Sequence, residues 1–417
     1  MLPDLGVTHA VLLQGPAGPF MARFGAELRD AGIHTTKVNF HAGDDFFYRG
    51  PDVVPFKEPF ERWEGWFRAL IEERGIDGLF LFGDCRPLHR MAIEIAEARG
   101  VRVYVFEEGY LRPDWITLEA HGVNGHSHLP RDPEFYRALE LPDVPDPIDV
   151  GPRFHLVAWY SSLNALAYTL WDRGYEHYHH HRHLNAWHHM RIHCWSVVRK
   201  EIYARREAHL TPRFEGELRR KYFFVPLQVH NDFQLVHSPY DDVLQMAREV
   251  AHTFARHADP RHSLVFKHHP MDRPYKEYGR FFEELQRSSG LGERLIYCHD
   301  LHLPTILKNA LGTITINSTV GLSSLYHATP VITLGTAVYD MPGMTHQGSL
   351  ESFLAHREPP DRDLFEKFCR YLTHVNQANG SLYKPIEALG TPTGIRWWKG
   401  LPAQREAHVD ARSERSP

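Results

Sequence analysis

Cysteine is scarce in this chain. Its 417 residues hold four, Cys85, Cys194, Cys298 and Cys369, far apart and with no CxxC pair. That spacing suggests neither a zinc ribbon nor a disulfide framework, and a reducing compartment fits it best. Long apolar runs are missing too. No stretch approaches the ~20 apolar residues needed to span a bilayer, so any membrane contact is expected to be peripheral. The opening MLPDLGVTHAVLLQG has no basic region before its short apolar run, which does not fit a secretory signal. LQGPAGPF (13–20) has glycines but neither GxGxxG spacing nor a P-loop lysine, so a dinucleotide or ATP site is poorly supported. There is no surplus of positive charge, the formal net charge being −5. With no RNA- or DNA-binding motif either, no nucleic-acid partner is expected.

What is present is the material of a soluble globular protein: 42% hydrophobic and 24% charged residues, ample for a core. The length favours two domains or one large one. Histidine is abundant at 31 residues, and aromatics make up 12%.

The first part alternates strand-like and helical stretches. HAVLLQ (9–14), HTTKVNF, IDGLFLFG (76–83) and VRVYVFEEG (101–109) read as strands. FMARFGAELRDAG, FERWEGWFRALIEERG and RPLHRMAIEIAEARG between them read as amphipathic helices. Such alternation predicts a parallel sheet covered on both faces. A Pro-rich stretch, LPDVPDPIDVGP, then leads into a helical, His-rich, basic region. Alternation resumes with KYFFVPLQ, HSLVFKHHP, RLIYC, GTITIN and PVITLG as strands. The expected organisation is α/β: a Rossmann-like domain over 1–150, a helical region over 151–215, a second Rossmann-like domain over 216–390 and a polar tail over 391–417. Two such domains usually bind ligand in a cleft between them.

In open α/β sheets, ligands collect at the carboxyl ends of the strands. Four strand ends here carry chemistry. In VFKHHPMDRPY (265–275), Lys267, His268 and His269 follow a strand, and Pro270 fixes the exit of His269. In GTITINSTVGLSSLYHATPVITLG (312–335), Ser318, Thr319 and Gly321 open a helix whose free N–H groups suit a phosphate, though an ordinary N-cap uses the same residue types. The two ends together would clamp a nucleotide phosphate. In FFVPLQVHNDFQLVHSPY (223–240), the strand empties into Gln228, His230, Asn231 and Asp232. Asp232 there suits either a carboxylate nucleophile or an Asx-turn. In VYVFEEGYLRPDW (103–115), Glu107 and Glu108 suit general acid/base work, and adjacent residues of a strand face opposite ways.

These segments, with FHAGDDFFYRG (40–50) and LFGDCRPLHR (81–90), occur in one order over roughly residues 10–340. In that order they resemble the KpsS/LipB family of capsule polysaccharide biosynthesis proteins, once called capsule export proteins. The resemblance implies a GT-B-like fold and a retaining glycosyltransferase. Its implied donor is CMP-β-Kdo, where Kdo is an eight-carbon acidic ketose, and its implied acceptor is a phosphatidylglycerol-type lipid on which a capsule linker starts. It implies catalytic roles for Glu108, the second acid of an acidic-acidic-Gly motif, and for Asp232. Donor binding falls to His269-Pro270, Ser318 and Thr319, with Lys267 and Gln228 beside them. No metal or other cofactor is expected. The implied place is the cytoplasmic face of the inner membrane, with capsule biosynthesis partners such as a second Kdo transferase. Two rival functions remain open: a non-enzymatic capsule export or assembly protein, and another CMP-sugar enzyme of the sialyltransferase type.

Residues 171–221 carry eleven Lys/Arg, six Asp/Glu and nine His, interleaved with Trp and Tyr. Dense histidine runs such as His177 to His189 have no fixed ligand geometry, so no metal site is read there. Basic residues among aromatics suit an anionic headgroup layer. Arg199, Lys200, Arg205 and Arg206 are the expected lipid contacts, a solvated helix with packed aromatics being the other reading.

Overall fold

The computed structural model describes residues 2–172, 174–178 and 185–398. The chain forms two compact units. One comprises Met1–Val123, Glu140–Asn185 and Phe368–Pro417, the other Asn124–Leu139 and Ala186–Lys367.

The first unit is built on strands β1 (His9–Leu12), β2 (His34–Asn39), β3 (Val53–Pro55), β4 (Gly78–Phe82), β5 (Arg102–Glu108), β6 (Trp115–Ala120) and β12 (Gln377–Asn379). They lie in the order β12-β6-β5-β4-β1-β2-β3. The strands from β5 to β3 are parallel, while β6 and β12 close one side antiparallel. Helices α1 (Phe20–Asp30), α2 (Ala42–Phe47), α3 (Trp63–Arg74), α4 (Pro87–Glu97) and α6 (Phe154–Trp171) belong to this unit. The parallel strands are apolar on both sides. One core gathers Val11, Val38, Phe67, Leu79 and Val105, and the other gathers Leu12, Phe20, Phe24, Phe80 and Phe106. Local signals work as anticipated: Gly75 ends α3 in the left-handed conformation at φ 60°, and Pro87 occupies the first turn of α4.

The second unit holds β7 (Tyr222–Pro226), β8 (Ser263–Lys267), β9 (Leu295–Cys298), β10 (Gly312–Thr315) and β11 (Val331–Thr333), all parallel, in the order β11-β10-β7-β8-β9. Every residue of β7 and β8 is buried. Their sequences, YFFVP and SLVFK, are apolar through Val225 and from Leu264 to Phe266, as a sheet covered on both faces requires. Helices α5 (Pro133–Ala138), α7 (Ala186–Arg206), α8 (Leu210–Glu215), α9 (Val243–His257), α10 (Gly279–Ser288), α11 (Leu303–Asn309), α12 (Val320–Tyr326) and α13 (Leu350–Ala355) complete it, and the chain passes back to the first unit within α14 (Arg362–Val375).

The α/β class and the paired sheets agree with the sequence, but three expected boundaries move. The helical region over 151–215 is not one body: α6 belongs to the first unit, and α7 and α8 to the second. The stretch to 390 does not stay with the second domain, because β12 adds to β6 with Gln377 opposite Thr117. Residues 391–398 are no tail. Ile395 and Trp397 are buried in the first unit, where the Trp397 indole donates to Glu27 at 2.8 Å. The rest of the expected polar tail lies outside the described residues.

Candidate functional site

Sheet order makes the ends of β10, β7 and β8 neighbours, so three of the four chemical strand ends meet in the second unit. After β7 the chain runs through Gln228 and turns, the Asp232 N–H donating to the Val229 carbonyl at 3.0 Å. Asp232 caps the short helical turn Phe233–His237 by accepting from the Gln234 N–H at 2.9 Å. The Asx geometry anticipated as an alternative is therefore real, but it uses only one carboxylate oxygen. The other accepts from Gln228 Nε2 at 3.0 Å. Gln228 is buried, and the same Nε2 donates to Asn317 Oδ1 at 2.9 Å, at the end of β10. Asn317 Nδ2 in turn donates to the Gln234 carbonyl at 2.9 Å. Both partners of Gln228 Nε2 are acceptors, so the amide orientation is fixed. Burial raises the Asp232 carboxyl above its ordinary range, against the lowering effect of the Gln234 and Gln228 hydrogen bonds.

The end of β8 is tied to the same turn. Asp272, fully buried, accepts from the His230 backbone N–H at 2.8 Å and the His230 Nδ1 at 2.6 Å. Of the three residues after Phe266, Lys267 and His268 are buried and His269 is half-buried, ahead of an exposed Pro270. Burial lowers the Lys267 ammonium. Burial also lowers His268 to about 3, helped by its cationic neighbours, so it stays neutral, with Nδ1 in a 2.7 Å hydrogen bond to the Tyr297 hydroxyl. His269 Nδ1 accepts from the Met271 N–H at 3.2 Å.

At the end of β10, Ser318 accepts from the Val320 N–H at 3.2 Å. Thr319 stands at the cap of α12, but its side chain makes no cap hydrogen bond. The helix has only seven residues, so what it offers is local N–H groups rather than a long dipole. Gly321 is demanded by packing: a Cβ there would lie 2.0 Å from the Tyr339 hydroxyl, which donates to the Ser318 carbonyl at 2.6 Å.

The fourth strand end stands in the first unit. Glu107 faces Thr117 and Glu108 faces Ile116 across β6. The Glu108 carboxylate accepts from Arg112 at 2.9 Å and is partly exposed. Glu107 accepts from the Glu108 N–H at 3.0 Å. Its other oxygen lies beside Gly83 at the end of β4, 3.7 Å from where a Cβ would stand. Gly109 must be glycine, since a Cβ would approach the Trp115 carbonyl to 2.3 Å. The adjacent ends of β4 and β1 are linked by Arg86, which donates to Gln14 Oε1 at 2.7 Å. The Tyr178 hydroxyl donates to the same oxygen at 3.0 Å.

Of the four expected lipid contacts, Lys200, Arg205 and Arg206 are exposed on α7, with Arg205 paired to Glu201 at 2.9 Å. Arg199 differs. It is half-buried and donates to the Arg273 carbonyl at 2.9 Å, in the packing that seats α7 on the sheet. The same seam holds Tyr203 stacked on His299 at 3.6 Å, and His299 in turn hydrogen-bonded to Glu207 at 2.5 Å. Arg199 is thus a structural cation rather than a surface one. Most of the histidine run, His179 to His183, lies outside the described residues. Sequence reasoning gave no role to Asn317, Asp272 or His268. Asp272 had a visible cue, standing two residues beyond His269-Pro270, but its burial and its hydrogen bonds to His230 and Tyr278 appear only in the fold.

These features define a class: a two-unit α/β protein whose polar side chains converge at the carboxyl ends of parallel strands, where such folds bind ligands. The chain belongs to the capsule polysaccharide biosynthesis protein family, whose family model matches residues 77–383. It is 40% identical over 386 residues to the capsule polysaccharide export protein KpsS of Escherichia coli, covering 89% of this chain and 96% of that one. It is 37% identical over 392 residues to the capsule polysaccharide modification protein LipB of Neisseria meningitidis serogroup B, covering 91% and 92%. Among solved structures it is similar to the KpsC beta Kdo 2,7 transferase of Thermosulfurimonas dismutans. That similarity covers 89% and 92% of the two chains, at 15% identity and a TM-score of 0.40, too distant to bear on chemistry.

Proposed function

We propose that this protein is a retaining glycosyltransferase that moves β-Kdo from CMP-β-Kdo to a phosphatidylglycerol-type lipid, starting the linker of a capsular polysaccharide. The observation that carries this reading is the Gln228–Asp232–Asn317 network, set in a capsule biosynthesis family. It holds one carboxylate in a fixed pose at a strand end, beside the loops of His269 and Ser318.

In this reading the cytidylate phosphate lies against His269, Ser318 and Thr319, with Lys267 behind them. An Asp232 oxygen attacks the anomeric carbon as the C–O bond to CMP breaks, and CMP leaves with the bonding electrons. The acceptor hydroxyl then displaces Asp232 and gives up its proton to a general base; acid/base work is the role the resemblance gives to Glu108. Two displacements retain configuration. Charge stabilisation of the leaving phosphate comes from cations and N–H groups, so the reading calls for no resident metal.

No helix among the described residues is long and apolar enough to cross a membrane. In this proposal the protein works peripherally at the inner membrane, with Lys200, Arg205 and Arg206 of α7 facing headgroups. A second Kdo transferase would extend its product. The test is incubation with a fluorescent phosphatidylglycerol analogue and CMP-Kdo generated in situ, read by mass spectrometry. The expected product is the acceptor plus Kdo, absent with Asp232→Ala. Unchanged product with Asp232→Ala would overturn the assignment, and a product formed only from a different CMP-sugar would shift the donor.

A further inference from the structure

Helix α6 in the first unit is eighteen residues long, FHLVAWYSSLNALAYTLW, and contains no charged side chain. Its inner side is buried through Asn164, Ala165 and Ala167. Its outer side carries an apolar stripe beside the exposed His155, Ser162 and Thr169. Trp159, Leu166 and Leu170 follow one another at spacings of seven and four, which places them on one stripe, and they are 59%, 39% and 54% exposed. Phe154 in the first turn and Trp171 at the end are also exposed. A solvent-facing helix ordinarily carries charge on that side.

The surroundings of its carboxyl end add a sign. Trp171 stacks on Phe46, interplanar angle 4°, and the exposed Arg49 guanidinium lies 5.6 Å from the Phe46 ring. Lys57, also exposed, lies 5.0 Å from the Tyr175 ring. Three nearby carboxylates accept from donors of the same unit. Asp44 accepts from the Phe40 N–H at 2.9 Å, Asp45 from the Tyr175 hydroxyl at 2.9 Å, and Asp172 from the Ala42 N–H at 2.8 Å. Arg49 and Lys57 thus face outward at this border, where Asp45, Glu58 and Glu176 are also exposed.

We infer that α6 is an interfacial helix that lies flat on an anionic lipid surface, its Trp159–Leu166–Leu170 stripe among the acyl chain ends and Arg49 and Lys57 at the phosphates. An uncharged stripe framed by tryptophans with cations at its border is the pattern of such helices. At ~1.5 Å per residue the helix presents about 27 Å of surface to the bilayer. The inference shares with the proposed function only its lipid and needs no sugar transfer.

The test uses the full chain and sedimentation with vesicles of phosphatidylcholine alone or mixed equally with phosphatidylglycerol. The wild type is expected to prefer the anionic vesicles. Trp159→Ser/Leu166→Ser/Leu170→Ser should weaken the partition at least about tenfold, with an unchanged melting temperature because all three side chains face solvent. A second variant, Trp159→Phe/Trp171→Phe, keeps the apolar stripe. It should sediment like the wild type but lose part of the fluorescence quenching by lipids brominated on their acyl chains. Arg49→Ala/Lys57→Ala should reduce the preference for anionic over neutral vesicles. Binding that survives the triple serine variant, or a wild type that ignores both vesicles, would overturn the inference. So would a wild-type dimer that the triple variant dissociates, since a second copy would then be the occupant. Turnover on a short-chain, water-soluble acceptor separates the two accounts: it should persist in the triple variant if the transferase reading holds.

Discussion

The carboxylates at the two sets of strand ends are held in opposite ways. In the second unit, Asp232 is one node of a buried amide network that spans β7 and β10. In the first unit, Glu108 is partly exposed and paired with Arg112, while Glu107 leans toward Gly83. A carboxylate held by two hydrogen bonds suits covalent attack, because its position is set before substrate arrives. A wetter, paired carboxylate suits proton transfer, which needs exchange with solvent. Carboxylates at the ends of two sheets are thus held by different hydrogen bonds, a difference the proposed roles would use.

The sharpest way to break this comparison is to remove the member in the second unit. Asp232→Ala is expected to lower turnover by about 10³-fold or more, the loss typical of a missing nucleophile, while Gln228→Ala, which only frees the carboxylate, should lose clearly less. Equal losses would mean that Asp232 serves the turn and not the reaction. Next, Glu107→Gln and Glu108→Gln should separate. The acid/base residue loses about 10²–10⁴-fold and its neighbour little, and steady-state rates of the two variants decide which is which. A large loss in Glu107→Gln alone would reassign the role to the side chain beside Gly83.

A milder effect is common to both units. His89 in the first and His268 in the second are buried and held to about 3, against about 6.5 in an unfolded chain. Between those values the unfolded chain takes up a proton and the folded chain does not. Each histidine therefore adds stability that is complete above pH 6.5 and is lost as pH falls toward 3, at up to about 1.4 kcal/mol per pH unit. The melting temperature should drop from pH 7 to pH 5, and His268→Gln should flatten that slope even if it lowers the midpoint. An unchanged slope would mean the ring is protonated in the fold. The smallest expected effect is on α7. Neutralising Lys200, Arg205 and Arg206 should cost roughly 1 kcal/mol each in binding to anionic vesicles, and less in high salt. The same change at Arg199 should lower the melting temperature instead.

Much of the fold was written locally. Short apolar stretches such as YFFV and LVF, with Gly75 and Pro87 at helix ends, marked the parallel strands and their helices. What escaped was settled by pairing at a distance. QAN at 377–379 has no strand signature of its own and is a strand because β6 offers it an open edge. Trp397 belongs to the first unit because Glu27 accepts its N–H. At the site, Lys267, His269, Ser318 and Asp232 were visible as chemistry at strand ends. Their neighbours Asn317 and Asp272 were not, since polar residues in a loop look alike until burial separates them. Arg199 shows the same limit from the other side: among four cations of one basic helix, only packing reveals which one turns inward.

The central claim is that the ends of β8 and β10 hold a cytidylate phosphate. Calorimetric titration of CMP into the protein addresses it directly. One saturable site is expected, weakened at least about tenfold by His269→Ala and by Ser318→Ala, the loss of one charge-assisted hydrogen bond each. CMP that does not bind, or that binds both variants as tightly as the wild type, would contradict it.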